Sequence, residues 1–504
     1  MSDAIDTTFA SPPPAPQPRR SVVPTLLAWL VILGLVTFYV LRRDTQTDAA
    51  RDKAEDRVGL LVMRMQARYF LGVRALLGPR SIYEQAKALN TGTVEQRLRF
   101  IVLAGELAGP TEALAQLHHL DQLLARQGQQ LTPAQAAVRD SLERLYRDYE
   151  RLRWNAPSVA RAERERLLES LGWFGELALA PPTPAVAVAG GLAGFVLERD
   201  AIPDAAARTH ALAPAQRTTA TILAAFGSGC LLGLAGVVGL IVFVVLVLKG
   251  KVSGNLHSET GNGGVYAETF ALWLVLFAAF SFVGALLPAD WPRLPLGGAA
   301  MLLSLAALAW PVLRGVSWRE VRADVGLTLG RRPAVEPWCG VCCYGLALPL
   351  LGVGFLLTLL LLLVERALGG NGEVSFRPSG GPSHPIVEVV ARGDLFARLE
   401  VLFLACVVAP LVEETMFRGV LYRHLREATA RCGPAWSFLL SATVVSFLFA
   451  VIHPQGLIAV PVLMALAYGF TIAREWRGSL VGSMVGHGLN NGLVMIVTML
   501  AMGD

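Results

Sequence analysis

The sequence predicts an all-α, polytopic helical membrane protein of about nine spans, with a helical water-facing domain inserted after the first span. Two observations predict this fold class. Of the 504 residues, 54% are hydrophobic and only 16% are charged, whereas soluble domains contain about 25% charged residues. The apolar residues also fall in runs of about 20, the length of a helix that crosses a hydrocarbon core of about 30 Å. Lipid is therefore expected to be the main solvent of this chain.

Residues 1–21 are polar, contain Pro12-Pro13-Pro14, and are expected to form a disordered N-terminal tail. The apolar run at 22–41 is expected to be a membrane anchor helix. It is longer than the apolar region of a signal peptide and lacks a small-x-small cleavage site, so an uncleaved anchor is favoured.

Residues 44–217 differ in composition from the rest of the chain. They are rich in Ala, Leu, Glu, Gln and Arg, and segments such as 94–107 and 136–154 carry apolar residues at helical spacing. We expect a helical soluble domain here, with Pro181-Pro182-Thr183-Pro184 as a break in the helical pattern. Nothing in this stretch indicates catalysis.

From residue 218 onward the chain is again typical of a membrane protein. We divide it into membrane helices at 218–319 and a core at 320–504 that carries the chemical motifs. With the first anchor, the expected spans lie near 219–248, 268–287, 295–313, 338–364, 399–420, 435–452, 456–473 and 479–501.

Lys and Arg residues in the short loops predict the orientation. Lys249 and Lys251 follow the second span, and arginines follow the fourth, sixth and eighth spans. If there are nine spans, all these loops lie on one side, which is then cytoplasmic together with the N terminus. The 44–217 domain is then extracytoplasmic, and the expected location is the plasma (inner) membrane of a bacterium. Because the net charge of +5 comes from residues beside apolar runs, it does not indicate nucleic-acid binding.

The six cysteines all lie in or next to apolar runs, which excludes a disulfide-stapled ectodomain. Cys339 and Cys342 have the spacing of a zinc knuckle, but no second pair or nearby histidine completes such a site. Packing at the start of a helix is the favoured interpretation of these cysteines.

Two adjacent carboxylates interrupt the sixth span. Glu413 and Glu414 follow an apolar run, where a charge is costly unless it faces protein, water or a counter-charge. Glu414 and Arg418 are four residues apart, so they share a helix face and are expected to pair. Glu413 points about 100° away from that face and is available for another contact. A purely structural ion pair is the alternative interpretation.

Further polar residues lie inside the seventh and ninth spans. His453 ends the seventh span four residues after Phe449, and Pro454 is expected to end or break that helix. His487 and Asn491 share one face of the ninth span, where neighbouring glycines permit close helix packing. Each histidine alone is more often a satisfied core residue, but together with the glutamates the set suggests a catalytic site.

A carboxylate with two histidines is sufficient to activate a water molecule for hydrolysis. Glu413 can act as a general base while His453 orients the water, or Glu413, His453 and His487 can bind a metal that lowers the pKa of the water. Asn491 and His487 are candidates to stabilise a developing oxyanion. Amide bonds are the natural substrate for such a site in a membrane.

The patterns Glu-Glu-x-x-x-Arg, Phe-x-x-x-His and His-x-x-x-Asn on successive membrane helices resemble the motifs of the CPBP family. This family comprises the type II CAAX prenyl endopeptidases and the abortive-infection-type membrane proteases. The segment from Asp324 to Arg332 resembles the family's lead-in to its core. The resemblance covers about 320–504, is looser over 219–319, and says nothing about 1–217.

The resemblance implies a role for each motif residue. The implied catalytic set is Glu413, Glu414, Arg418, His453, His487 and Asn491. Glu413 resembles the base that activates water, Glu414 its supporting carboxylate, and Arg418 the residue that holds Glu414. His453 matches the histidine that helps to hold the water, and the last two residues of the set match the oxyanion site. The family has been described both as metal-dependent and as glutamate-dependent and metal-free, so the resemblance allows a site with or without a bound Zn²⁺.

We therefore expect an intramembrane endopeptidase that hydrolyses peptide bonds of membrane-associated or lipidated (CAAX-like) protein substrates in the lipid bilayer. A non-catalytic membrane scaffold or accessory factor that keeps the family fold is the alternative. A transporter, with the carboxylates and histidines as proton relays, is a third hypothesis, but the sequence lacks the paired broken helices of an inverted repeat. The oligomeric state is not predicted.

Overall fold

The computed structural model describes most of the chain. The described residues are 22–42, 48–152, 159–180, 205–252, 254, 256, 264–288, 291–330, 332–367, 394–453 and 455–502. The predicted tail at 1–21, the proline-rich break at 181–184 and Pro454 lie outside the described residues.

The described residues form helices joined by turns and short irregular segments, and no β-strand occurs among them. In chain order the helices are α1 (Val23–Arg42), α2 (Asp48–Leu77), α3 (Pro79–Ala86), α4 (Val94–Ala108), α5 (Pro110–Gln127), α6 (Pro133–Arg151), α7 (Arg161–Leu171), α8 (Trp173–Leu179), α9 (Ala205–Leu248), α10 (Val265–Leu286), α11 (Arg293–Leu313), α12 (Trp318–Val325), α13 (Glu336–Ala367), α14 (Leu395–Ala428), α15 (Pro434–Ile452), α16 (Val460–Arg477) and α17 (Val481–Met502). The predicted all-α fold class is confirmed.

Nine of the helices in the described part of the chain are long and apolar enough to cross a membrane. They are α1, α9, α10, α11, α13, α14, α15, α16 and α17. The chain is therefore an integral, multi-pass membrane protein, and the prediction of about nine spans is confirmed.

Helices α2 to α8 pack around an apolar core of their own. Phe100, Tyr146 and Phe174 are buried within it, and the first turns of α9 add Ala211 and Ala215. A second apolar core, within the membrane helices, includes residues of α1, α10, α14 and α15. The helical domain and the membrane region thus each have a separate core.

One continuous helix, α9, runs from the helical domain into the membrane region. α9 contains 44 residues, which is about twice the length needed to cross a hydrocarbon core. Its first turns belong to the helical domain, because Trp173 Nε1 donates to the Ala211 carbonyl at 2.8 Å and buried Arg208 pairs with Glu106 at 2.7 Å. The predicted boundary at 217–218 falls inside this helix and not at a linker, because the first turns of α9 pack on the helical domain before the helix continues into the membrane region.

Two π-helical segments, Leu404–Val408 and Glu414–Leu421, interrupt α14. Pro410 accounts for the first, because it has no N–H for the Cys406 carbonyl and its ring displaces that carbonyl. α14 is also longer than the span predicted at 399–420. Because π-helical turns are rare and concentrate at functional sites, the two segments point to α14 as a helix that carries a functional site.

Glycines allow α17 to lie very close to its neighbours. A Cβ atom on Gly488 would lie 2.5 Å from the Cys406 carbonyl oxygen of α14. A Cβ atom on Gly340 of α13 would lie 2.6 Å from the Gly482 carbonyl oxygen of α17. Any larger residue at these glycines would push the helices apart, so the glycines bring the polar face of α17 against α14.

Candidate active site

Glu414 and Arg418 form the predicted ion pair on α14. Arg418 Nη1 donates to Glu414 Oε1 at 2.9 Å, and both side chains are completely buried. The pair closes within one helical turn, as the spacing of four residues predicts. Each charge thus has its counter-charge inside the protein, which offsets the cost of removing both from water.

Aromatic rings enclose the Arg418 guanidinium. Its Cζ atom lies 4.3 Å from the centroid of the Phe449 ring and 5.4 Å from that of Phe470. Nη2 donates to the Ala467 carbonyl at 3.3 Å. The ring faces stabilise the cation electrostatically and also prevent the side chain from adopting another rotamer.

His487 is held by the same carboxylate. Its Nδ1 atom lies 2.9 Å from Glu414 Oε1, and because an ionised carboxylate only accepts, Nδ1 carries the proton. The ring stacks on Phe470 with centroids 5.0 Å apart and planes 17° apart. We call Glu414, Arg418 and His487 the ion cluster. Its hydrogen bonds direct His487 Nε2 away from Glu414.

His453 caps the end of α15. Its backbone is extended, with φ −71° and ψ 144°, as expected for a residue that precedes a proline. Nδ1 lies 2.5 Å from the Phe449 carbonyl oxygen, and because a carbonyl only accepts, Nδ1 is again the protonated nitrogen. The Nε2 atom is therefore the one that faces Glu413, at 3.6 Å from its Oε2 atom.

The two histidines meet at Glu413. Glu413 Oε2 lies 3.6 Å from His453 Nε2 and 3.8 Å from His487 Nε2. The Glu413 side chain is 19% exposed, whereas that of Glu414 is completely buried. The adjacent carboxylates therefore have different surroundings. Glu414 is buried and its Oε1 atom accepts from both Arg418 and His487, whereas Glu413 is partly exposed beside two imidazole nitrogens.

Asn491 lies at the contact between α17 and α14. Its Nδ2 atom donates to the Ala405 carbonyl at 2.8 Å, and its Oδ1 atom accepts from Asn490 Nδ2 at 3.2 Å. Ala405 belongs to the first π-helical segment of α14. The structure thus brings five of the predicted residues into one cluster, with separations between 2.9 and 3.8 Å. Asn491 lies one helical turn beyond His487 and is hydrogen-bonded to the π-helical backbone of α14.

Comparison with known proteins gives the family of this region. Residues 395–493 match the family model described as type II CAAX prenyl endopeptidase Rce1-like. The predicted family resemblance is confirmed for this segment. The Rce1-like segment extends from α14 into α17 and contains all six residues of the predicted set.

A curated relative of the Rce1-like segment is the membrane-embedded CAAX protease MroQ of Staphylococcus aureus (strain USA300). The two are 30% identical over 99 residues, which is 20% of this chain and 39% of the relative. The chain thus spans about two fifths of that relative's length. No solved structure matches the chain.

Three contacts of the Rce1-like site do not follow from any pattern in the sequence. Phe470 contacts both Arg418 and His487, yet it is an apolar residue in an apolar helix. The Ala467 carbonyl holds Arg418 through a backbone atom, which no side-chain pattern reveals. Phe449 belongs to a recognised motif, but its contact with the Arg418 guanidinium appears only in three dimensions.

The predicted metal option concerns Glu413, His453 and His487. Two imidazoles and a carboxylate are ligand types that zinc uses. Among the described residues, however, no group of three or more His, Cys, Asp or Glu side chains is arranged to hold a metal ion. This holds for Glu413, His453 and His487 and also for the cysteines of α13, of which Cys339 and Cys343 are buried.

Proposed function

We propose that the chain is an intramembrane endopeptidase that hydrolyses peptide bonds of membrane-associated or lipidated, CAAX-like protein substrates. The observation that carries this proposal is the position of Glu413 Oε2 between His453 Nε2 and His487 Nε2, at 3.6 and 3.8 Å. A scaffold without activity would not need an accessible carboxylate between two imidazoles in the membrane, where charges are costly.

In the proposed reaction, Glu413 acts as the general base. Separations of 3.6 to 3.8 Å exceed a direct hydrogen bond but suit a bridging water that contacts both groups. Glu413 takes one proton from this water, while the lone pair of His453 Nε2 accepts its other hydrogen and orients it. The hydroxide attacks the scissile carbonyl carbon, and the proton held by Glu413 passes to the leaving amine as the C–N bond breaks.

His487 is proposed to stabilise the oxyanion of the tetrahedral intermediate. Because Nδ1–H already donates to Glu414, a donation from Nε2 requires the doubly protonated imidazolium form. In that form Nδ1–H still donates to the Glu414 carboxylate, whose Oε1 atom lies 2.9 Å away. Asn491 has a second N–H beyond the one bonded to Ala405, which provides a further donor.

The substrate class is proposed from the family and the location of the site. The relative described above is a CAAX protease by its name, and the site lies within membrane-spanning helices. We propose a bacterial plasma-membrane location with a cytoplasmic N terminus, on the basis of the Lys and Arg residues in the short loops.

Paired peptides test the proposed function. The purified full-length protein is incubated in lipid nanodiscs with C-terminal peptides that differ only in a prenyl group, and products are identified by mass spectrometry. We expect internal peptide-bond cleavage, with the prenylated peptides favoured because their lipid partitions to the site. No cleavage of any peptide by folded protein would favour a non-catalytic scaffold.

The metal dependence of the proposed reaction can be measured with the same preparation. Since the described side chains are not arranged to hold a metal ion, we expect that dialysis against a chelator leaves kcat unchanged and that zinc is well below one atom per chain. Loss of activity on chelation, with recovery on adding Zn²⁺ but not Mg²⁺, would contradict this and would assign a metal to the site.

A further inference from the structure

We infer that Arg474 is a positioning residue for the active site: it holds the α14 backbone at Arg418 and so fixes the orientation of the ion cluster. This inference rests on the proposed function, because it names a further residue on which the same reaction depends. Arg474 lies outside the recognised motifs.

Arg474 lies on α16 and is only 1% exposed. Its Nε atom donates to the Arg418 carbonyl at 3.3 Å, and Nη2 donates to the Asp324 carbonyl at 2.7 Å. These carbonyls belong to α14 and to the end of α12. Burying a guanidinium costs free energy. The nitrogens of the Arg474 guanidinium connect the backbones of two separate helices, α14 and α12.

The bonded carbonyl lies in the second π-helical segment of α14. This segment, Glu414–Leu421, contains Arg418 and begins at Glu414. The wider turn of a π-helix is rare, so a charged donor from a neighbouring helix stabilises a backbone geometry that would otherwise tend to return to the α-helix. That return would change the direction in which Glu414 and Arg418 point.

Two glycines bring the three elements into contact at this point. Gly326 has a φ of +83°, and a Cβ atom there would lie 2.6 Å from Arg474 Cζ. A Cβ atom on Gly419, the residue after Arg418, would lie 2.4 Å from Val325 Cγ1. The guanidinium therefore lies directly against the backbone at Gly326, and the lead-in segment that begins at Asp324 acts as its second anchor.

Three residues on one face of α16 contact the ion cluster. Ala467 accepts a hydrogen bond from the Arg418 side chain, Arg474 donates to the Arg418 backbone, and Phe470 between them stacks on His487. Spacings of three and four residues place Ala467, Phe470 and Arg474 on the same side of the helix. A shift at Arg474 is therefore expected to reach both Arg418 and His487.

Arg474→Lys tests the inference, with Arg477→Lys as the matched control. Lysine keeps the charge but cannot bridge two carbonyls as the guanidinium fork does. We expect kcat to fall about 10- to 100-fold, with KM changed by less than about twofold. Arg477 lies on the same helix and pairs with Glu336 at 2.6 Å, away from the site, so its variant should keep both constants.

A second readout does not depend on catalysis. ¹⁵N-histidine-labelled protein in lipid bilayers is examined by solid-state NMR, and the His487 signal among the eight histidines is assigned by its absence in His487→Gln. We expect the Nδ1 resonance, which reports the hydrogen bond to Glu414, to move in Arg474→Lys but not in Arg477→Lys. Gly326→Ala, which displaces Arg474 from the opposite side, should move the same resonance and replaces Arg474→Lys if that variant does not fold.

Peptide cleavage tests the proposed function, and the His487 resonance tests the placement of the ion cluster by Arg474. If the wild type cleaves no peptide but the His487 resonance moves, the proposed function fails while the placement of the ion cluster by Arg474 is supported. If the wild type cleaves peptides, an unchanged kcat in Arg474→Lys overturns the inference. An unmoved resonance also overturns it, even with a lowered kcat, because the effect would then not act through the cluster.

Discussion

Replacing Glu413 by glutamine is expected to lower kcat about 10²- to 10⁴-fold while leaving the fold intact. Glutamine has nearly the same shape but cannot take a proton from water, so the loss isolates proton transfer from packing. Because the Glu413 side chain is 19% exposed and belongs to no buried ion pair with Arg418, the substitution should leave the thermal unfolding temperature nearly unchanged. Steady-state cleavage of one defined peptide in nanodiscs measures the effect.

Glu400→Gln is the control for this prediction. It makes the same chemical change on the same helix, in the first turns of α14 before the π-helical segments. Its kcat should remain that of the wild type. If Glu413→Gln kept more than about a tenth of the wild-type kcat, general-base catalysis by this residue would be ruled out.

Replacing Arg418 by methionine is expected to destabilise the protein by about 3–5 kcal/mol, the cost of leaving a buried charge without its partner. The lost partner is Glu414, whose side chain is completely buried and accepts from Arg418 at 2.9 Å. Methionine fills most of the same volume between the two phenylalanine rings, so the loss reports charge more than packing. Reversible unfolding in mixed detergent micelles measures the change.

A double variant separates charge from shape. Arg418→Met with Glu414→Gln removes both charges and should recover part of the lost stability, because a neutral amide is less costly to bury than an unpaired carboxylate. Arg161→Met breaks an ion pair of identical spacing on an exposed helix, where Arg161 is 91% exposed, and should have little effect. Equal losses in both single variants would contradict a special role for burial at Arg418.

Much of the fold and site follows from the sequence because membrane burial makes polar residues informative. Apolar runs near 20 residues predict nine spans, and the same runs make Glu413, Glu414 and the two histidines conspicuous. Spacings of four residues predict the pair between Glu414 and Arg418, since residues at that distance share a helix face. Because charged residues are rare inside membrane spans, the few that occur there indicate where a catalytic site lies.

The remaining features depend on contacts between distant segments. The continuity of α9 across the predicted domain boundary depends on packing of its first turns against α8, through Trp173 and Ala211. The second π-helical segment of α14 depends on a donor from another helix, Arg474. Phe470 contributes its ring and Ala467 its carbonyl oxygen. Because both residue types are ordinary in an apolar helix, the sequence does not distinguish them from their neighbours.

The most direct test of the central claim is a single-turnover cleavage in H₂¹⁸O with protein in excess over peptide. If Glu413 activates water, the new C-terminal carboxyl group contains one ¹⁸O atom in the first turnover, and Glu413→Gln forms this product about 10²- to 10⁴-fold more slowly. If the product of that first turnover contains only ¹⁶O, with ¹⁸O appearing only after repeated turnovers, a protein carboxylate has attacked the substrate directly, and the proposed mechanism is contradicted.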